Sequence, residues 1–208
     1  MRVSKLFLKR FGKVFEWYWN NKWPKNQVLY NTRGNYKMDV RNLILTKSYI
    51  LQPIADRFKH LQNDDKALRL LKLVINKLTY KSDSVTRNTP EYWENPEVTW
   101  QRKTGDCEDG ALLLISLMRM AGVPAYRVKL RAGDVRLSNG RKGGHGNIIY
   151  LSEEENEWFP LDWCFYPVSS VTLFNQIPDR KREKYLGIWW TGNDLFTWAQ
   201  RDTIVKFK

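Results

Sequence analysis

Two cysteines, Cys107 and Cys164, and two histidines, His60 and His145, are all that the 208-residue chain offers of either type. Cys107 lies in Thr104-Gly105-Asp106-Cys107-Glu108-Asp109-Gly110-Ala111, at the first turn of an apolar segment with helical spacing. Unpaired N–H groups at a helix start carry partial positive charge and favour thiolate, the nucleophilic form of cysteine. The flanking Asp106, Glu108 and Asp109 act the other way, because carboxylates raise a thiol pKa. Most free cysteines are small buried hydrophobes, so Cys107 gains meaning only through partners. His145, in Gly143-Gly144-His145-Gly146-Asn147, and Asp162, in Pro160-Leu161-Asp162-Trp163, are the candidates. An imidazole can take a thiol proton, and a carboxylate can fix its tautomer and stabilise the imidazolium. His60, beside Lys59, reads as an ordinary surface or cap histidine. A structural zinc site would need every Cys and His to converge, so none is expected.

These residues can meet only if the right elements carry them. Residues 106–121 read as a helix that is apolar nearly all round and therefore buried, with Ser116 and Arg119 as polar exceptions. Gly122 suits the position just past its end, and Pro124 stops any continuation. Strands follow at 125–130, 146–152 and 157–166, with a glycine-rich turn over 133–144 and a second turn at 153–156. If the second turn is symmetric, His145 lies opposite Cys164 and one step diagonal from Asp162, on the same sheet face. The cysteine helix then needs to pack on that face, bringing the sulfur within hydrogen-bonding reach of an imidazole nitrogen. Upstream, residues 40–61 read as a helix kinked by Pro53, and 63–80 as a second helix capped by Asn63 or Asp64. Residues 81–99 read as one long structured loop, of the kind that serves a site. Downstream, Ile188, Trp189 and Trp190 read as buried, 179–184 as exposed, and 203–207 as a last short strand.

The Gly-Asp-Cys-Glu-Asp motif, the exit Gly122-Val123-Pro124-Ala125-Tyr126-Arg127-Val128, a strand histidine and Leu161-Asp162 occur in an order that resembles the transglutaminase-like cysteine enzymes. The likeness is to the bacterial and phage branch that includes transglutaminase-like cysteine proteinases. It covers about residues 90–167, and Tyr92-Trp93-Glu94-Asn95-Pro96-Glu97 belongs to it. The resemblance implies an α+β fold of papain-like type, with a Cys-bearing helix packed on an antiparallel sheet that carries His and Asp. It implies acyl transfer from an amide through a thioester, without cofactor or metal. On that basis Cys107 is the nucleophile, His145 the base and Asp162 its orienting partner. Gln101 and the Trp100 indole are candidates for stabilising the oxyanion, beside the Cys107 N–H. Trp93 and Trp163 are candidates for the walls of the substrate cleft. Gly146 stands where a bulkier residue often follows the histidine, a departure that would open or loosen the site.

Composition bounds the remaining readings. At 42% hydrophobic and 27% charged, with ten Trp, ten Tyr and nine Phe, the chain is globular and has material for a large core. The net charge is +13. Residues 1–60 hold 13 basic and 3 acidic residues, so +10, while 106–167 hold 7 and 9, so −2. The positive excess therefore lies away from the Cys motif; it is either a solvated basic surface or the contact for an anionic partner, whether nucleic acid, an anionic membrane surface, a wall polymer or an acidic protein. Residues 1–62 are expected to form a basic, mainly helical region, and 63–208 the catalytic domain. Val3, Phe7, Phe11, Val14, Phe15 and Tyr18 recur at helical spacing there. Basic residues interrupt that stretch, which reads as no secretion signal, and no run is long enough to span a bilayer. A cytoplasmic or virion-associated protein is the expectation. Its substrate would be a protein, peptide or peptidoglycan amide, with hydrolysis and glutamine-to-amine transfer both open. The competing reading is a non-catalytic structural or binding module of the same fold, associated with a phage particle or nucleic acid.

Overall fold

The computed structural model describes residues 14, 17, 28–31, 37–89, 91–137, 139–164, 185–199 and 203–205. Most of the amphipathic segment expected at the N-terminus and the charged 179–184 stretch lie outside these residues. The centre of the molecule is a five-stranded antiparallel sheet in the order β7–β6–β5–β8–β9. Its strands are β5 (Val128–Arg136), β6 (Lys142–Leu151), β7 (Trp158–Leu161), β8 (Tyr185–Gly192) and β9 (Thr197–Ala199). One face carries Leu130, Ile148, Tyr150, Phe159, Leu161 and Trp190 into the core.

The expected cysteine helix packs on that core as α5 (Cys107–Met120), with α1 (Gln52–Asp56), α2 (Asn63–Lys77), α3 (Asp83–Thr86) and α4 (Pro96–Arg102) preceding it in the chain. Leu112, Leu113, Leu114, Ile115 and Leu117 of α5 are fully buried, each by about 1.5 to 3 kcal/mol of transfer free energy. Both polar exceptions are tied down. Ser116 Oγ accepts from Leu45 N–H at 3.0 Å, and Arg119 Nε donates to Asp194 at 2.6 Å. Gly122, at φ 89°, takes the left-handed conformation that ends the helix.

The turn after β6 has the symmetric register expected: Leu151 faces Trp158, Tyr150 faces Phe159, and Ile148 faces Leu161. Asp64 pins this turn to α2. Its carboxylate accepts from Tyr150 Oη, Ser152 Oγ and the N–H groups of Glu153 and Glu154, all between 2.7 and 2.9 Å. That employment is why Asp64 does not cap α2, whose N-cap is Gln62.

Other elements differ from the sequence reading. Residues 40–61 are a 3-10 turn (Val40–Leu43), an irregular stretch and then α1, because Pro53 sits in the first turn of a helix, where its missing N–H costs nothing. The long loop expected over 81–99 contains α3 and the start of α4, which Asn95 caps through Glu97 N–H, with Pro96 in its first turn. Residues 125–127 form a 3-10 turn before β5. The glycines of 133–144 are mostly in strands, and only 137–141 separate β5 from β6. Gly133 is there because a Cβ would lie 2.0 Å from the Gly187 carbonyl oxygen of β8. Ile188 and Trp189 are 56% and 49% exposed, and only Trp190 is buried, because β8 changes register against β5 between Ala132 and Gly133.

A second, small sheet joins β1 (Val28–Asn31) to β2 (Lys37–Asp39) and, in parallel, to the expected last strand β10 (Thr203–Val205). Val28, Val40, Leu43, Leu51 and Ala55 belong to the same core cluster as α5. Two short strands, β3 (Thr79–Tyr80) and β4 (Thr104–Gly105), pair in parallel just before the cysteine.

Candidate active site

Cys107 opens α5 and is half-buried, with Asp106 at the N-cap. Its turn is held from two sides. Trp163, beyond the end of β7, donates its indole N–H to the Cys107 carbonyl at 3.1 Å. Gly146 of β6 faces the same turn so closely that a Cβ there would lie 3.1 Å from Glu108 Cα. The glycine after the histidine therefore tightens the site, because a larger residue would push strand and helix apart.

His145 and Asp162 are brought together directly. His145 Nε2 lies 2.5 Å from Asp162 Oδ2, and Asp162 is fully buried. The sequence did not point to the other groups on this carboxylate. Tyr185 Oη donates to Oδ2 at 2.8 Å, Asn147 Nδ2 donates to it at 3.3 Å, and Cys164 N–H donates to Oδ1 at 3.1 Å. Asn147 could have been found from the hairpin register, which sets it opposite Asp162. Nothing local signals Tyr185, which arrives on β8.

Alternation along β6 turns Gly146 toward α5 and His145 and Asn147 to the other side of the strand. The expectation that the helix packs on the face bearing His145 and Asp162 is not met; this placement weighs for the non-catalytic module, and the catalytic reading rests instead on the His145–Asp162 pair. β7 ends at Leu161 and the chain turns through Asp162 and Trp163, the first reaching His145 and the second the Cys107 carbonyl. The thiol in this structure donates to Glu108 Oε2 at 3.0 Å, in place of the expected bond to an imidazole nitrogen. Burial pushes the Cys107 thiol well above its ordinary range, and the carboxylates of Glu108 and Asp106 push it further. In the contest between helix start and acidic neighbours, burial and the neighbours win, and the resting group is a thiol. Burial likewise raises the Cys164 thiol, with Asp162 adding to it.

The aromatic candidates divide. Trp163 is buried against Gly110 and touches the Cys107 turn. Trp93 is buried in the core, 5.5 Å from Trp190, and donates its indole N–H to Glu91. Trp100 is half-buried on α4 with Lys77 Nζ 4.2 Å from its ring, and Gln101 is exposed on the same helix.

Carboxylates cluster behind the cysteine. Oxygens of Asp83, Asp106 and Asp109 lie within 4.8 Å of one another, and all three residues are buried. Asp83 accepts from Tyr92 N–H, and Asp109 accepts from Glu94 N–H at 2.9 Å, whereas Asp106 Oδ1 has no hydrogen-bond partner. Burial, then the charge of Asp83, raises the Asp106 carboxyl to about 7.

The sheet and its buried helix belong to a known class: a family model for the transglutaminase-like superfamily matches residues 52–163, and the chain belongs to this superfamily. Among solved structures it is similar to LapG of Legionella pneumophila, at 18% identity over 71% of this chain and 75% of that one, with a TM-score of 0.54. A calcium-bound form of LapG gives the same identity and coverage with a TM-score of 0.53. An EGTA-treated form gives 19% identity over 71% and 73%, with a TM-score of 0.53. At these identities the likeness is one of fold. No curated protein sequence matches the chain. No described helix is long and apolar enough to cross a membrane.

Proposed function

We propose that the protein is a cysteine-dependent acyl-transfer enzyme acting on amides, with Cys107, His145 and Asp162 as its triad. The observation that carries this reading is the 2.5 Å His145–Asp162 pair beside the first turn of the cysteine helix. Because Nε2 is engaged by Asp162, Nδ1 is the nitrogen that handles the thiol proton. The reaction begins with rotation of the sulfur about χ1, away from Glu108. Cys107 Sγ attacks the amide carbonyl as its proton passes to Nδ1. The C–N bond then breaks, the imidazolium returns the proton to the leaving amine, and a thioester remains. Water resolves it in a hydrolase, an amine in a transglutaminase. The Cys107 N–H, at the start of α5, is the first oxyanion donor, with Trp100 and Gln101 of α4 as side-chain candidates. The class of substrate is a protein or peptide amide, peptidoglycan included.

The carboxylates of Asp83, Asp106 and Asp109 fit a hard divalent cation, and the buried, unpartnered Asp106 Oδ1 supports that reading. A LapG form crystallised with calcium is among the similar structures. A cation held there supplies positive charge next to Cys107, which favours the thiolate.

One assay tests both parts. Dye-labelled casein is incubated with the protein, with and without a fluorescent primary amine, in calcium or in EDTA. Peptide release or amine incorporation is expected, at least a hundredfold lower in Cys107→Ala and His145→Ala, and faster in calcium. Full activity in Cys107→Ala overturns the triad. Equal rates in calcium and EDTA remove the cation. No turnover of casein, together with a Cys107 that iodoacetamide labels no faster than Cys164, favours the non-catalytic module.

A further inference from the structure

Asp162 is held by more donors than one imidazole accounts for, and their supports converge on a buried cation. Tyr185, Asn147 and the Cys164 N–H join His145 on the carboxylate. Arg131 of β5 is itself buried and stands opposite Asn147 in the β5–β6 ladder. Its Nε donates to Asn147 Oδ1 at 2.8 Å, which orients the amide so that Nδ2 points at Asp162. Its guanidinium carbon also lies 4.0 Å from the centroid of the Tyr185 ring. The Tyr185 ring in turn stacks against His145, with centroids 6.4 Å apart and planes 27° apart.

The charge of Arg131 therefore reaches Asp162 by two routes, the Asn147 amide and the Tyr185 phenol. A buried carboxylate stays ionised only where donors and positive charge compensate the loss of water. A phenol whose ring faces a guanidinium is a better hydrogen-bond donor, because positive charge over the ring polarises the O–H bond.

We infer that Tyr185, Asn147 and Arg131 form a positioning set that holds the Asp162 carboxylate as an acceptor toward His145 and thereby fixes the Nε2–H tautomer. The inference rests on the proposed triad, and it adds a residue of β8, beyond the 52–163 segment that the family model matches. Within the set, the Tyr185 ring also stacks on the imidazole, so this residue bears on both the orientation of the ring and its partner carboxylate.

The test uses the full chain labelled with ¹⁵N-histidine. Only two histidines contribute, and His60 is exposed, so the His145 resonances are separable. Wild-type protein is expected to show the Nε2–H tautomer with a low-field, slowly exchanging proton. Tyr185→Phe keeps the ring and its stacking, and is expected to weaken or abolish that signature. It should lower kcat on dye-labelled casein about ten- to a hundredfold with KM unchanged, the loss of one hydrogen bond to a charged group. Asn147→Ser should act in the same direction, and Arg131→Lys, which keeps the charge but loses the Nε–H donated to Asn147, should also weaken the signature. An unchanged signature in Tyr185→Phe overturns the inference, whether kcat falls or not. The spectrum needs no turnover, so failure of the proposed activity, seen as full turnover by Cys107→Ala, is read separately.

Discussion

At the scale of single residues, Gly110 sets two general rules against each other. It lies inside α5, where alanine is favoured over glycine by about 1 kcal/mol. Yet a Cβ there would lie 2.2 Å from Trp163 Nε1, on a buried ring that cannot swing away. Overpacking of that kind costs about 1 to 3 kcal/mol, and it also displaces the indole from the Cys107 carbonyl. Packing therefore wins, and Gly110→Ala is expected to lower Tm by about 2 to 8 °C and to change the alkylation rate of Cys107. Combining it with Trp163→Phe should recover part of the loss, since the clash and the hydrogen bond share one atom. A Gly110→Ala protein with a raised Tm would show that helix propensity decides this position. The cysteine turn is thus fixed less by its own capping than by a tryptophan arriving from the far side of the hairpin.

At the scale of elements, β5 carries an unusual load on its outer side. Val128 and Leu130 enter the core, and Lys129 between them points the other way, with Nζ 4.0 Å from the Trp198 ring and 5.3 Å from the Trp158 ring. Burial lowers its ammonium to about 8, while the indole faces oppose that shift by attracting the charge. Between the folded value and the unfolded value of about 10.4 the unfolded chain binds more protons, so the stability term rises with pH across that window. Below it, the buried charge weighs against the fold. Urea unfolding from pH 7 to 10.5 should show wild-type protein gaining stability relative to Lys129→Met. Parallel curves for the two would mean that the indoles cancel burial completely. The sequence showed the elements that periodicity or capping marks strongly: α5 with its Gly122 stop, and the hairpin whose register set His145 near Asp162. It concealed those set by distant contacts. The glycines at 133 and 144 look like turn residues until β8 is seen lying against them. Asp64 looks like a cap until the hairpin turn claims it. The three residues of the proposed triad were picked out by order, but Tyr185 and Arg131 were not, because only the sheet order β6–β5–β8 brings them to Asp162.

At the scale of the whole molecule, the basic excess and the core overlap in sequence. Residues 1–27 hold 7 basic and 1 acidic residue, so +6, and precede the first described strand. Residues 28–60 include Val28, Val40, Leu43, Ile44, Leu51 and Ala55 of the core. Removing 1–27 is expected to weaken retention on heparin and to flatten its salt dependence. Removing 1–60 is expected to yield insoluble or unfolded protein, because it takes a wall from the core that covers α5. Equal retention of full-length and 28–208 proteins at every salt concentration would dismiss the anionic partner. A folded 61–208 fragment with wild-type Tm would show that the upstream residues are an addition to a self-sufficient unit.

The parallel pairing of β1 with β10 has a consequence in time. Val28 is matched with Thr203, so β1 leaves the ribosome 175 residues before its parallel partner and waits for it. At bacterial or eukaryotic synthesis rates that wait is roughly 10 to 35 s. Tyr185 comes almost as late, and until β8 docks on β5 its bond to Asp162 cannot form. The nascent chain thus carries the proposed nucleophile for many seconds before the group proposed to steady the base exists. Under the proposed triad, a chain assembled in this order stays below its full rate during its own manufacture, when the amides nearest to it are those of its own unfinished chain and of the ribosome around it.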